Sequence, residues 1–294
     1  MSASARSSVL LSQNFLTNSR LVALLLDRFD LGAERVVYEI GPGKGIITQQ
    51  LALRFRRVIA IEKDQRLAAS LARQFGEWPN VTVHAGDFLG YPLPRNPYTV
   101  FANIPFNITA AIVTKLTTAD NPPEVAYLAM QREAAQMFIG KPRESRRTIL
   151  LKPWFETEIV HQFNRSDFAP APRVDVVMLR LRKRGPPLVS DVGRKFFRNF
   201  VVYVFTHWQP GGANPLTTLF PGRQYAALER TLGLDPATRP TSLTVEHWLR
   251  IFGRLKAVGH PTAQGLVAGS ERRLIREQSR LEKRHRTCAN RHRR

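Results

Sequence analysis

The run RVVYEI, residues 35–40, has none of the polar alternation of a half-exposed strand, and it opens at once into Gly41-Pro42-Gly43-Lys44-Gly45. The segment IITQQLALRF then continues at helical spacing. A strand of this kind is buried on both faces, as in a parallel sheet covered by helices. The unit repeats along the chain. RVIAIEKD (57–64) is followed by the helix-like QRLAASLARQF, with its apolar face at Leu67, Leu71 and Phe75. VTVHAGD (81–87), YTVFANI (98–104) and VAYLAM (125–130) supply three more strands. These features predict a doubly wound, Rossmann-like α/β domain.

TEIVHQF (157–163) and VDVVMLRLR (174–182) read as final strands joined by the loop NRSDFAPAPR. In RKRGPP (182–187) charge, glycine and paired proline follow one another, which marks a boundary. Beyond it the pattern turns helical, through KFFRNFVVYVF, QYAALERTLGL and VEHWLRIFGRL. In the last of these, Val245, Trp248, Leu249, Phe252 and Leu255 share one face and Thr244 is placed as the cap. Residues 261–294 hold nine Arg, one Lys and three Glu with few apolar residues, which predicts a tail that is disordered or only transiently helical. The expected organisation is therefore an α/β domain over 1–184, a small helical domain over 185–258 and a basic tail over 259–294. No internal repeat is evident.

Lys and Arg number 44 against 23 Asp and Glu, a net charge of +21, so the natural partner is a polyanion and nucleic acid before anionic membrane. No apolar run approaches the ~18 residues of a spanning helix, and MSASARSSVLLSQNFL lacks the sustained apolar core of a signal peptide. Cys288 is the single cysteine, which excludes an internal disulfide, and the seven His show no metal-ligand spacing. The expectation is a cytoplasmic protein without a metal.

Three glycines in five positions let the backbone turn sharply and bring a ligand close to a helix N-terminus. A dinucleotide fingerprint needs Gly at 46, where Ile stands, and a P-loop needs Ser or Thr after Gly-Lys, where Gly45 stands. A plain strand-to-helix turn is the alternative. Glu62 ends the second strand, where an acid accepts ribose hydroxyls; otherwise it is a surface carboxylate paired with Lys63 or Arg66. Asp87 ends the third, where it can accept from an adenine amino group or serve as a turn residue. Gly41, Glu62, Asp87 and Asn103 all fall at the C-terminal ends of successive predicted strands, the edge along which such sheets bind ligands. A nucleoside held over a glycine loop without phosphates points to S-adenosylmethionine.

The stretches SQNFL (12–16), EIGPGKG (39–45), IEKD (61–64), GDFL (86–89), NIPFNIT (103–109) and FAPAPRVD (168–175), with SLTVEHWLRIF near the end, make the chain resemble the ribosomal RNA adenine N6-methyltransferases. The resemblance runs from about residue 10 to about 255. It implies an S-adenosylmethionine-dependent methyltransferase domain in which Asn14 and Leu16 contact the cofactor from the N-terminal segment. Gly41 and Gly43 would underlie it, Glu62 would bind its ribose and Asp87 its adenine. Asn103 would lie between cofactor and target base. Two bacterial branches exist, one dimethylating adjacent adenines of the small-subunit RNA. The other modifies one adenine of 23S RNA and confers macrolide, lincosamide and streptogramin resistance. NIPF in place of NLPY, and MQREAAQMFIGKPRES followed by LLKPWFE, resemble the resistance branch. So does WQPGGANPLTTLF where the housekeeping branch carries an RRKxL-like stretch. The implied partner is 23S rRNA before full ribosome assembly, met by a monomer.

Chemistry fits this reading. The lone pair of adenine N6 is delocalised into the ring, and two acceptors, the Asn103 side-chain oxygen and the Ile104 carbonyl, would localise it. Pro105 fixes the backbone and Phe106 offers a stacking face to a base taken out of its helix. Three other classes compete. A DNA adenine methyltransferase would carry Asn/Asp-Pro-Pro-Tyr; a nonenzymatic nucleic-acid binder could lose the cofactor residues, all present here; and a nicotinamide oxidoreductase would need the glycine that Ile46 replaces.

Overall fold

The computed structural model describes residues 14–29, 32, 35–235, 237–258, 261–278 and 280. Ser12, Gln13 and Cys288 lie outside them. The chain divides into two compact units, 1–139 with 155–185 and 140–154 with 186–294.

In the first unit seven strands form one sheet: β1 (Val36–Ile40), β2 (Arg57–Glu62), β3 (Val81–Ala85), β4 (Tyr98–Asn103), β5 (Val125–Gln131), β6 (Phe155–Gln162) and β7 (Val176–Lys183). Their order is β3-β2-β1-β4-β5-β7-β6. The first five are parallel, whereas β7 runs antiparallel to both β5 and β6. The order reverses between β1 and β4, so the chain leaves those neighbouring strands in opposite lateral directions and opens a crevice at their C-terminal ends. Val37, Val58, Val100, Phe101 and Ala126 are fully buried, as non-alternating strands require. Helices α1 (Ser19–Arg28), α2 (Ile46–Ala52), α3 (Gln65–Gln74), α4 (Thr109–Thr118) and α5 (Arg132–Ile139) complete the unit. Phe29 stacks on Tyr127 with centroids 4.3 Å apart and rings inclined by 6°. The segment Phe15–Leu16 pairs antiparallel with Phe168–Ala169, and Thr17 N–H donates to the Asp167 carbonyl at 2.9 Å. That ladder fixes the N-terminal segment.

The second unit is helical: α6 (Arg146–Leu151), α7 (Asp191–His207), α8 (Pro215–Leu219), α9 (Arg223–Leu232), α10 (Val245–Val258) and α11 (Pro261–Val267). Its core is aromatic, with Phe197, Phe200, Trp248 and Phe252 buried and in ring contact. Thr244 caps α10 by accepting from His247 N–H at 3.3 Å.

Two features differ from the sequence expectations. Residues 140–154 belong to the helical unit, not to the α/β domain of 1–184. Trp154 packs edge-on against Phe197 at 5.8 Å beneath the Arg194 guanidinium, and Leu188 N–H donates to the Pro153 carbonyl at 2.8 Å. In the segment expected to be disordered or only transiently helical, residues 261–267 and 270–278 are helical and packed, and residues 281–294 lie outside the described residues. Proline is accepted at a first helical position, and Ala263, Val267 and Ser270 are buried, so three small side chains suffice to seat the segment.

Candidate active site

Gly41, Gly43 and Gly45, between β1 and α2, all have positive φ, at 66°, 60° and 82°. They make room for different things. A Cβ on Gly41 would meet only Pro105 Cδ, at 3.9 Å, so the loop leaves open space there. A Cβ on Gly43 would lie 2.4 Å from the Phe15 ring. Phe15 thus lies directly against the glycine loop, and the Lys44 ammonium is 5.7 Å from its ring centre.

Glu62 is buried, not a surface carboxylate paired with Lys63 or Arg66. Its Oε2 accepts from Gly43 N–H at 3.0 Å and its Oε1 from Asp64 N–H at 2.9 Å. The end of β2 therefore holds the glycine loop, and the carboxyl oxygens keep lone pairs for further donors. Glu39, inside β1, is fully buried and accepts from Thr48 Oγ1 at 2.6 Å. Burial raises its pKa to about 8, against the lowering effect of that hydrogen bond.

Asn103 ends β4. Its Nδ2 donates to the Asn14 carbonyl at 2.7 Å, which leaves Oδ1 unengaged among the described residues. Asn14, Phe15, Gly41, Asn103, Ile104, Pro105 and Phe106 line one small recess. Leu16, with Phe15, Gly41 and Asn103, lines the adjoining one. The structure therefore brings together all the expected residues of the N-terminal segment, Gly41 and the Asn-Ile-Pro-Phe run.

Asp87 is not in the wall of either recess. It follows β3, where Gly86 N–H donates to the Glu62 carbonyl at 2.7 Å. Lys63 Nζ donates to its Oδ2 at 2.6 Å and Leu89 N–H to its Oδ1 at 2.9 Å. Those two bonds hold its carboxyl below the usual range, Lys63 contributing most.

Sequence reasoning missed Phe15 and Lys115. The Lys115 ammonium on α4 donates to the carbonyls of Phe88 at 2.6 Å, Leu89 at 3.0 Å and Tyr91. It lies 4.9 Å from the Phe88 ring centre, so one cation organises the turn that carries Asp87. The one sequence signal was a lysine in an otherwise uncharged helix, TAAIVTKLTT.

The ribosomal RNA adenine dimethylase family model matches residues 5–257. An rRNA adenine N-6-methyltransferase of Saccharopolyspora erythraea is 34% identical over 250 residues, spanning 85% of this chain but 65% of that relative's length. The ribosomal RNA small subunit methyltransferase A of Bacillus mycoides is 31% identical over 262 residues, 83% of this chain and 90% of its own. The crystal structure of the 23S rRNA methyltransferase ErmE superposes with a TM-score of 0.75 at 34% identity, covering 83% of this chain and 100% of that one.

Proposed function

The chain belongs to the ribosomal RNA adenine dimethylase family, and from that premise we propose that it transfers methyl groups from S-adenosylmethionine to N6 of one adenine in 23S rRNA, a modification that confers macrolide, lincosamide and streptogramin resistance. The observation that carries the reading is the orientation of Asn103. With Nδ2 committed to Asn14, its oxygen is the atom presented to a ligand. An acceptor there, beside the Ile104 carbonyl and the Phe106 ring, suits an exocyclic amino group.

The residues present fit the cofactor. Gly41 has open space over it that a side chain would occupy. Glu62 is a buried carboxylate with lone pairs for ribose hydroxyls, and Asp87 is an ionised acceptor for the adenine amino group. Asn14, Leu16 and Gly43 complete the cradle. When bound, S-adenosylmethionine supplies the electrophilic methyl group. The chain's own contribution is positional and electrostatic: Asn103 Oδ1 and the Ile104 carbonyl accept the amino hydrogens, Pro105 holds that carbonyl in place, and Phe106 stacks on the extruded base. No residue of the recess needs to act as a strong base, because the proton becomes acidic only once N6 carries positive charge.

The choice of 23S over small-subunit RNA rests on NIPF and on the segments at 130–156 and 208–220, which resemble the resistance branch. The protein would meet its RNA in the cytoplasm, as a monomer and before the ribosome is fully assembled. Incubation with the cofactor and protein-free ribosomal RNA, followed by nucleoside mass spectrometry, tests the chemistry. N6-methylated adenosine, formed far more slowly with Asn103→Ala, is the expected product; RNA binding with no transfer would favour the nonenzymatic binder.

A further inference from the structure

The helical segment beyond residue 257 lies outside the family match, yet it is seated firmly on the second unit. Val267 is fully buried, Asn199 Oδ1 accepts from Glu271 N–H at 3.1 Å, and the Arg198 guanidinium grips the Glu271 carboxylate through Nε at 2.9 and 3.0 Å and through Nη2. Glu271 is thereby neutralised. Arg273 is turned back on its own helix, donating to the Ala268 carbonyl at 3.0 Å and Ser270 Oγ at 2.9 Å. Arg272, Arg276 and Arg280, by contrast, are exposed and follow one another at four-residue spacing. On a helix that spacing makes one stripe, with each guanidinium roughly 6 Å along the axis from the last.

We infer that this arginine stripe is a docking surface for the phosphate backbone of single-stranded RNA. The acid at 271 is spent on anchoring the helix, so among the described residues its outward face carries Arg272, Arg276 and Arg280 against one exposed acid, Glu277. Guanidinium groups suit phosphate oxygens by geometry as well as charge. Their regular presentation on a helix lets several engage one strand without ordering a loop. The stripe would hold RNA without reading sequence, supplementing the base-specific contacts of the catalytic recess. In that respect the inference extends the RNA-substrate reading and rests on it.

The test is the salt dependence of binding to polyuridylate, which has no adenine to methylate, for the full chain and for Arg272→Gln/Arg276→Gln/Arg280→Gln. Loss of three phosphate contacts should make the slope of log K against log salt shallower by about 2 and lower the affinity roughly 10–100-fold at 0.1 M salt. An unchanged slope overturns the inference. So does an equal change when Arg73, Arg95 and Arg230 are replaced by Gln, since net charge alone would then account for it. Loss of binding to phosphatidylserine vesicles with polyuridylate binding intact would assign the stripe to a membrane and overturn it too. All three are exposed residues, and an unaltered melting temperature confirms that the variants fold. Methyl transfer by the parent chain is scored separately: if it fails while the slope changes, the methyltransferase reading falls and the docking surface stands.

Discussion

Asn103 and Asn14 are 89 residues apart in the chain, and the side-chain amide of the first donates to the backbone carbonyl of the second at 2.7 Å. The bond does two things at once. It ties the N-terminal segment to the end of β4, and it settles which end of the amide faces the recess. An amide free to flip would present a donor half the time, and a donor repels an amino group.

Asn103→Ala should therefore lower the rate of methyl transfer by about 10²–10³-fold, the cost of removing one preorganised polar group from a reacting centre. Cofactor affinity, measured by calorimetry, should fall less than the rate, because Glu62 and the glycine loop remain. A larger loss of affinity than of rate would make Asn103 a cofactor ligand and little else.

Gly43→Ala should detach the N-terminal segment. The new methyl would sit 2.4 Å from Phe15, and φ of 60° adds a cost of roughly 1–2 kcal/mol for any side chain. Binding of S-adenosylhomocysteine should weaken by about tenfold or more, since 1.4 kcal/mol is tenfold. Adding Phe15→Ala should relieve the clash but not the backbone strain, so recovery will be partial.

The parallel core and the C-terminal edge of the sheet were legible because their signals are local. Val- and Ile-rich runs mark buried strands, and glycines beside acids mark the strand ends where Gly41, Glu62, Asp87 and Asn103 lie. What could not be read were contacts between distant segments. Phe15 against Gly43 spans 28 positions, and nothing in either neighbourhood announces it. Trp154 looks like part of an α/β domain until its ring is found against Phe197. The packing of the 261–267 helix was hidden by its composition, since burial of Ala263 and Val267 needs no visible apolar stripe.

Lys115→Met should destabilise the turn carrying Asp87. All three ammonium donors are engaged with carbonyls, and losing such bonds to a charged group costs about 2 kcal/mol even with partial exposure. The melting temperature should fall and cofactor affinity with it. Hydrogen exchange should rise over residues 86–97, while β1 and β5 stay protected.

Stability should decline as pH rises from about 4.5 to about 8. Over that interval Glu39 is protonated in the folded chain and ionised in the unfolded one. The folded state then binds the extra proton, so raising pH favours unfolding. Stabilisation from this group is complete below its unfolded value and is lost as pH passes its folded value. Glu39→Gln, which cannot ionise, should flatten that part of the urea-midpoint profile; an unchanged profile would mean that Glu39 does not hold the proton.

The proposed reaction is methylation of one adenine of 23S rRNA at this recess, and mapping the product tests it. Labelled S-adenosylmethionine would be offered together with protein-free 23S and 16S RNA, and the modified position located by primer extension. Label at a single adenine in 23S RNA, strongly reduced by Asn103→Ala, is the expected result. Label confined to adjacent adenines of 16S RNA would contradict it and place the protein in the housekeeping branch.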